Sequence, residues 1–339
     1  MELYAGLDLH SRNTYIGIMD KAFNRVFKKR VPNHLERIVQ TLEPFRDQIK
    51  GFVIESTYNW YWLVDGLMDA GYSCAHLANP SAIKQYEGLK HSDDQHDAFF
   101  LAQLLILDIL PQGYIYPKQD RPVRDLARKR MFLVQHKTAH TLSLQSLLQR
   151  CCAKKVSAND MRHLTVKELG MWLEEEHLTL SAQANLDSVN FLKQKIKQLE
   201  KAIIQKVKLN KAFKYLLTVP GIGNILAMTI MLEVGDINRF SKVGNFTSYC
   251  RCVPSRRLSD GKTKGYGNRK NGNRYLSWAF TEAAHLGRRH NEQFRRYYNR
   301  KVAQANTSLA TKALSNKLAR ICYFIIKDQV PFREKLFCR

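Results

Sequence analysis

The sequence predicts a mixed α/β unit followed by a long helical region. Short β-prone runs alternate with helix-periodic stretches over the first hundred residues, whereas beyond residue 117 the pattern is helix-compatible and basic. A chain of 339 residues also exceeds what one hydrophobic core usually organises, so two or three domains are expected.

The first run, Leu3-Tyr4-Ala5-Gly6-Leu7-Asp8, and the second, Thr14-Tyr15-Ile16-Gly17-Ile18, read as strands, and a basic third follows over residues 25–31. Three consecutive strands imply an antiparallel start. Residues 34–49 then carry Leu35, Ile38, Val39, Leu42 and Phe45 at helical spacing, and residues 51–55 form a buried-type strand ending on Glu55. A helix over residues 59–70, a strand over 74–77 ahead of Asn79-Pro80, and a helix over 97–110 complete the unit. The order βββαβαβα is that of an RNase H-like fold.

Residues 117–155 are helix-compatible, and Arg121, Arg124, Arg128, Lys129, Arg130 and Lys137 crowd the first half. They form either an arm for phosphate contacts or a solvated basic face. Val189, Leu192, Ile196, Leu199 and Ile203 repeat at alternating spacings of three and four, the seam of a short coiled coil. Such a seam serves self-association, although an intramolecular helical hairpin would use the same stripe. Further on, Val219-Pro220-Gly221-Ile222-Gly223 precedes an apolar helix, and its glycines suit either a backbone approach to phosphate or a helix-joining turn. The remaining chain shows helical stripes, Leu276, Ala279, Phe280, Ala283 and Ala284 in one, Leu314, Leu318, Ile321, Cys322 and Ile325 in another. The division expected is 1–117 for the α/β domain, 118–211 for the basic helical linker and coiled coil, and 212–339 for a mainly helical C-terminal domain.

Charge narrows the function. Fifty-four Lys and Arg against 30 Asp and Glu leave a net charge of +24, and the pI is about 9.8. Such an excess points to a polyanion, with nucleic acid first. An anionic membrane is the rival, but the longest apolar run, residues 99–110, is too short to span a bilayer and carries Asp108. Glu2, Asp8 and His10 stand where a secretory signal needs a basic start and an apolar run, so a cytoplasmic protein is expected. Seven cysteines form no regular disulfide framework, which suits a reducing compartment. Cys250 and Cys252 lack a second ligand pair at zinc-finger spacing and read as packing thiols.

Four carboxylates stand out by position. Asp8 ends the first strand and Glu55 the fourth, which are neighbours in an RNase H-like sheet. Asp94 and Asp97 are spaced i, i+3 and share a helix face. Taken singly each is a cap or a surface charge; together they form the oxygen-rich cluster that two Mg²⁺ (or Mn²⁺) ions need for phosphoryl transfer. His10, His91 and His96 lie near these acids and read as supporting or surface groups. A second constellation runs from Pro254 to Arg274, with four glycines, seven Lys or Arg and a single acid. That composition suits a mobile loop on a phosphate backbone, and Ser255 and Ser259 lie within it; a basic loop with incidental serines has the same composition.

These residues carry a resemblance. Gly6-Leu7-Asp8, Val53-Ile54-Glu55-Ser56-Thr57, Asn79-Pro80, Asp94-Gln95-His96-Asp97-Ala98, the Pro-Gly-Ile-Gly turn and the stretch from Pro254 to Leu276 occur in the order of the DEDD insertion-sequence transposases. That family includes bridge-RNA-guided recombinases and is similar to the Piv/MooV DNA invertases. The resemblance implies that Asp8, Glu55, Asp94 and Asp97 are the metal-binding acids of a RuvC-like domain and that Ser259 is a nucleophile joined covalently to DNA. It further implies double-stranded donor and target DNA, a structured non-coding bridge RNA, and a homodimer or homotetramer bridged by the coiled coil. Two departures are visible. Asp260 stands between Ser259 and Gly261, where the family has glycine next, which leaves Ser255 as a second candidate; Asp93 precedes Asp94, which allows a one-residue slip of the ligand. The phosphate contacts expected are Arg121, Arg124, Arg128, Arg130, Arg256, Arg257, Lys262, Lys264, Arg269, Lys270 and Arg274. A RuvC-like junction resolvase using water, or a non-enzymatic nucleic-acid-binding protein, are the alternatives.

Overall fold

Strands β1 (Leu3–Leu9), β2 (Asn13–Asp20) and β3 (Arg25–Pro32) form the antiparallel half of a six-stranded sheet. Helix α1 (Leu35–Leu42) and a 3-10 turn lead into β4 (Ile49–Glu55), which pairs in parallel with β1. Helix α2 (Tyr61–Asp69), β5 (Ala75–Ala78), the short α3 (Pro80–Ile83), α4 (Asp94–Ile106) and the two-residue β6 (Gln112–Gly113) complete the order β3-β2-β1-β4-β5-β6. The computed structural model describes residues 1–56, 59–83, 86, 93–254, 256–266 and 271–338, without the side chains of residues 162, 256–258, 266, 336 and 338. The chain divides into two compact units, Met1–Lys118 and Gln119–Arg339.

Alternation along the strands assigns the faces. Leu3, Ala5 and Leu7 with Ile16, Ile18, Phe52 and Ile54 pack on Ile38 and Leu42 of α1 and on Leu63, Val64 and Leu67 of α2. The opposite face takes α4, with Val53 and Ala78 against Leu101 and Leu104. Helix α4 starts at Asp94, three residues earlier than the sequence pattern suggests, because the Asp93 side chain accepts a hydrogen bond from His96 N at 2.7 Å and caps it. β6 has no sequence signal; two residues paired with Leu77 and Ala78 are too few for a periodicity.

The second unit opens with α5 (Arg121–Cys152), α6 (Val166–Trp172) and α7 (Glu176–Val207). Arg130 meets Glu200 at 2.7 Å and His140 meets Asn185 at 3.1 Å, so α5 and α7 run antiparallel. Val189, Ile196 and Ile203 are buried and Leu192 and Leu199 half-buried as α7 packs along α5. The expected seam is therefore occupied within the chain by a helical hairpin, not left for a second copy. Leu144, Leu147 and Leu148 close its far end against Leu169, Leu173, Ala182 and Leu186.

Helices α8 (Lys211–Leu216), α9 (Asn224–Val234) and α10 (Val243–Tyr249) precede strands β7 (Arg256–Ser259) and β8 (Lys262–Tyr266). Helices α11 (Arg274–His290), α12 (Glu292–Gln304), α13 (Thr307–Asp328) and α14 (Lys335–Cys338) finish the unit around a core of Phe213, Phe246, Phe280, Phe294 and Tyr323. Gly221, at φ 87°, joins α8 to α9, and a β-carbon there would meet Gly287 Cα of α11 at 2.6 Å. Its glycine thus serves helix packing. Cys250, Cys252 and Cys322 are buried free thiols, and burial pushes each above the ordinary cysteine range, Cys252 to about 12. They are packing groups, as expected. Among the described residues no helix is long and apolar enough to cross a membrane.

Candidate metal centre and serine hairpin

Leu7 pairs with Ile54, so the next residues, Asp8 and Glu55, stand side by side at the ends of adjacent parallel strands. Alternation puts Asp8 on the face of Gly6 and Glu55 on the face of Val53, which is the side covered by α4. Glycine at position 6 makes that cover close: a β-carbon there would overlap the Ala98 carbonyl of α4. The first turn of α4, bearing Asp94 and Asp97, is thereby brought over the strand ends.

His10 links the elements. Its Nε2 lies 2.9 Å from Asp8 Oδ2 and 3.1 Å from Asp94 Oδ1. Among the described residues Asp8, His10 and Asp94 offer three ligand atoms within 4.8 Å of one another. Asp8 is 6% exposed, and its Oδ2, near the imidazole but without hydrogen-bond alignment, is a buried oxygen with no hydrogen-bond partner. Burial raises the Asp8 carboxyl above its ordinary range; the His10 charge opposes the shift, and Asp97 and Asp94 add to it. A buried carboxylate with an unsatisfied oxygen, facing two further acids, is a costly arrangement that a bound cation relieves. The residues present therefore fit a divalent metal, and carboxylate oxygens suit Mg²⁺ or Mn²⁺.

Asp93 and Asp94, between which the sequence leaves a one-residue ambiguity, have different contacts. Asp93 is engaged in capping α4, while Asp94 faces His10 and also lies 3.8 Å from Arg30 Nη2. Tyr15 Oη and Lys28 Nζ both donate to Gln95 Oε1 at 3.2 Å. The β2–β3 hairpin thus sets cations beside the acids, a contribution whose sequence trace was only a basic third strand. His96 stacks on Phe100, ring centroids 5.8 Å apart. His91 and Thr57 lie outside the described residues.

In the second unit β7 and β8 form a two-stranded hairpin, with Ser259 paired to Lys262. Asp260 and Gly261 between them both have positive φ, 51° and 66°, as the two central residues of a type I′ turn require. The Asp-Gly pair that departs from the expected motif is thus a hairpin turn, and it sets Ser259 at its edge. Ser259, Lys262 and Lys264 are exposed. The segment expected as a mobile loop carries strand pairing over residues 256–266. Arg256 and Arg257 are described in backbone only, and Ser255, Arg269 and Lys270 lie outside the described residues.

The arginines of α5 have inward partners. Arg121 and Arg124 are 4% and 7% exposed. Arg124 and Arg128 both hold Glu233, whose Oε1 accepts from Arg128 Nε at 2.6 Å, and Arg130 pairs with Glu200. The guanidiniums of Arg124, Arg128 and Arg130 thus bind carboxylates of this chain, whereas the sequence suggested an exposed arm. Arg274, by contrast, is exposed and donates to Tyr275 Oη at 2.9 Å.

Two family models match this chain. One, for DEDD transposases of IS110 type, is described as a transposase and covers residues 5–153; the other, described as the IS116/IS110/IS902 transposase family, covers residues 213–299. The transposase y4qE of Sinorhizobium fredii is 25% identical over 279 residues, 79% of this chain and 67% of that protein. A family 20 transposase of Pseudomonas aeruginosa is 23% identical over 282 residues, 80% and 82% of the two chains. The transposase for insertion sequence element IS1328 of Yersinia enterocolitica is 24% identical over 148 residues, 42% and 44%. One match takes in all four acids and the other the serine hairpin, so both regions of the chain are similar to insertion-sequence transposases of the IS110/IS116 family.

Proposed function

We propose that this chain is a transposase that moves an insertion sequence by metal-dependent cleavage and strand exchange between donor and target double-stranded DNA, through a phosphoserine intermediate. The sheet order and the parallel β1–β4 pair support an RNase H-like, RuvC-like reading of the first unit. The observation that carries the metal site is Asp8 Oδ2, buried and without a hydrogen-bond partner beside His10 and Asp94. Asp8, Glu55, Asp94 and Asp97 would hold Mg²⁺ or Mn²⁺. When bound, the ions supply a means of activating the attacking oxygen and neutralising charge at phosphorus.

The chain's own groups do the rest. Lys28 and Arg30 stand beside the acids to attract the DNA backbone. Lys262 and Lys264 flank Ser259, and with Arg256, Arg257, Arg269, Lys270 and Arg274 they are the groups proposed to hold the scissile phosphate. The Ser259 hydroxyl gives up its proton as Oγ bonds to phosphorus; the P–O bond to one deoxyribose breaks, and that oxygen leaves as a hydroxyl after taking a proton. Attack by the hydroxyl of the exchanging strand reverses the step and frees the serine. The family resemblance adds a structured bridge RNA pairing with both DNA partners, and an assembly of two or four chains. The α7 stripe is used internally, but Phe132, Leu142, Leu180 and Phe191 are exposed on the α5–α7 hairpin and offer apolar surface for such an assembly.

The test is Glu55→Gln. It should abolish Mg²⁺-dependent cleavage of a plasmid carrying the element's ends while the unfolding midpoint and DNA affinity stay at wild-type values. Undiminished cleavage would overturn the metal site. A nuclease using metal-activated water, such as a junction resolvase, needs the same acids and no serine, so cleavage that survives Ser259→Ala is its signature. A non-enzymatic binding protein would show no metal dependence at all.

A further inference from the structure

We infer that Glu233, acting through Asn273, is a positioning residue for Ser259, tying the base of the serine hairpin to helix α5; the inference rests on the Ser259 reading above. Glu233 is 1% exposed on α9. Its carboxylate accepts from Arg124 Nε at 3.2 Å, from Arg128 Nε and Nη2 at 2.6 and 2.9 Å, and from Asn273 Nδ2 at 2.7 Å. Burial alone would raise its pKa, but the hydrogen bond from Arg128 and the charges of Arg124 and Arg128 hold it below the ordinary range, with Asn273 assisting. It is a buried carboxylate.

Asn273 converts that fixed charge into a fixed chain direction. Its Oδ1 accepts from Tyr275 N and Leu276 N at 2.9 and 3.1 Å, capping α11, so the amide is held at both ends. Its backbone N donates to Tyr249 O at 2.6 Å, and Nδ2 also reaches Tyr249 Oη at 3.3 Å. Arg251 completes the clasp, donating from Nε to Asn271 O and Gly272 O and from Nη2 to Gly272 O at 2.8 Å. Gly272, at φ 87°, allows it, since a β-carbon there would lie 2.5 Å from Tyr249 O. Residues 249–251 and 271–273, where the chain enters and leaves the segment bearing Ser259, are thereby strapped together. A well-packed apolar cluster in place of Glu233, Arg124 and Arg128 together would serve stability as well as or better than the buried ions. It would not direct the amide of Asn273 against α5, and that direction fixes where the hairpin leaves the helical core.

Asn273→Asp tests this in the full-length protein. Asp caps a helix as well as Asn, but here it sets a carboxylate against Glu233, and adding Glu233→Gln restores a donor opposite an acceptor. With plasmid carrying the element's ends at saturation, RNA transcribed from its flank and Mg²⁺, Asn273→Asp should slow formation of the protein–DNA adduct about 100-fold, the scale of a misplaced reacting group. DNA affinity should not change, amide hydrogen exchange over residues 256–266 should quicken, and the double variant should recover at least tenfold in rate with slower exchange. Should Asn273→Asp fail to fold, Asn273→Ser, which caps α11 without reaching Glu233, must give the same two effects. A wild-type rate and exchange in the variants, or no recovery in the double variant, overturns the inference. Absence of any adduct from wild-type protein removes the Ser259 reading, while the exchange measurement still decides whether Glu233 holds the hairpin.

Discussion

A β-carbon on Gly6 would overlap the carbonyl oxygen of Ala98, so strand β1 and helix α4 meet with no side chain between them. That closeness brings Asp94 and Asp97 over Asp8. Gly6→Ala must push the helix off the sheet, which costs about 1–3 kcal/mol as overpacking. Gly170, exposed within α6 with open space around it, is the control: Gly170→Ala should stabilise by about 0.5–1 kcal/mol. Urea unfolding midpoints check both, and an unaffected Gly6→Ala midpoint would mean that the two elements are not in backbone contact.

Asp93 and Asp94 have separate duties. Asp93→Ala removes the cap from α4 and should cost about 1 kcal/mol, leaving Mn²⁺ binding intact. Asp94→Asn should do the reverse, keeping stability and weakening Mn²⁺ at least tenfold by calorimetric titration. Were the two effects exchanged, the ligand would be Asp93.

Glu233 predicts an acid-sensitive core. Because its folded-state pKa is lowered, its stabilisation is complete above the unfolded carboxylate pKa and disappears as pH falls through the folded value. Glu233→Gln leaves Arg124 and Arg128 without their shared charge and should cost about 3 kcal/mol at neutral pH. The variant's stability should also fall less steeply between about pH 5 and 3 than that of the wild type. Parallel curves would show that the carboxylate is not held ionised.

Salt dependence separates inward cations from outward ones. Lys262→Gln with Lys264→Gln should lower the slope of log affinity against log salt by about 2, whereas Arg124→Gln should cost stability and leave the slope alone. Equal effects on the slope would return Arg124 to the DNA surface.

The strands and helices of the first unit were legible because apolar periodicity is a local property, and each acid's place at a strand or helix end followed from it. His10 was visible only as a neighbour of Asp8 in sequence; its bridge to Asp94 depends on α4 crossing β1, which no local pattern states. The arginines of α5 misled for a related reason. Composition counts charge without direction, and the partner that turns Arg124 and Arg128 inward, Glu233, lies more than a hundred residues away. The α7 stripe was correctly periodic, but periodicity does not say whose helix fills it, and α5 does. Asp260 departed from the expected motif, although an Asp-Gly pair between β-prone residues is itself a hairpin signal.

Ser259 is the proposed nucleophile. Wild-type protein incubated with Mg²⁺, flank-derived RNA and DNA carrying the element's ends should yield a protein–DNA band that survives denaturing electrophoresis. Ser259→Ala, at unchanged DNA affinity, should yield none, and peptide mapping of the wild-type adduct should put the nucleotide remnant on Ser259. An adduct that persists in Ser259→Ala, or Mg²⁺-dependent cleavage by wild-type protein with no adduct at any time, would exclude Ser259 as the nucleophile.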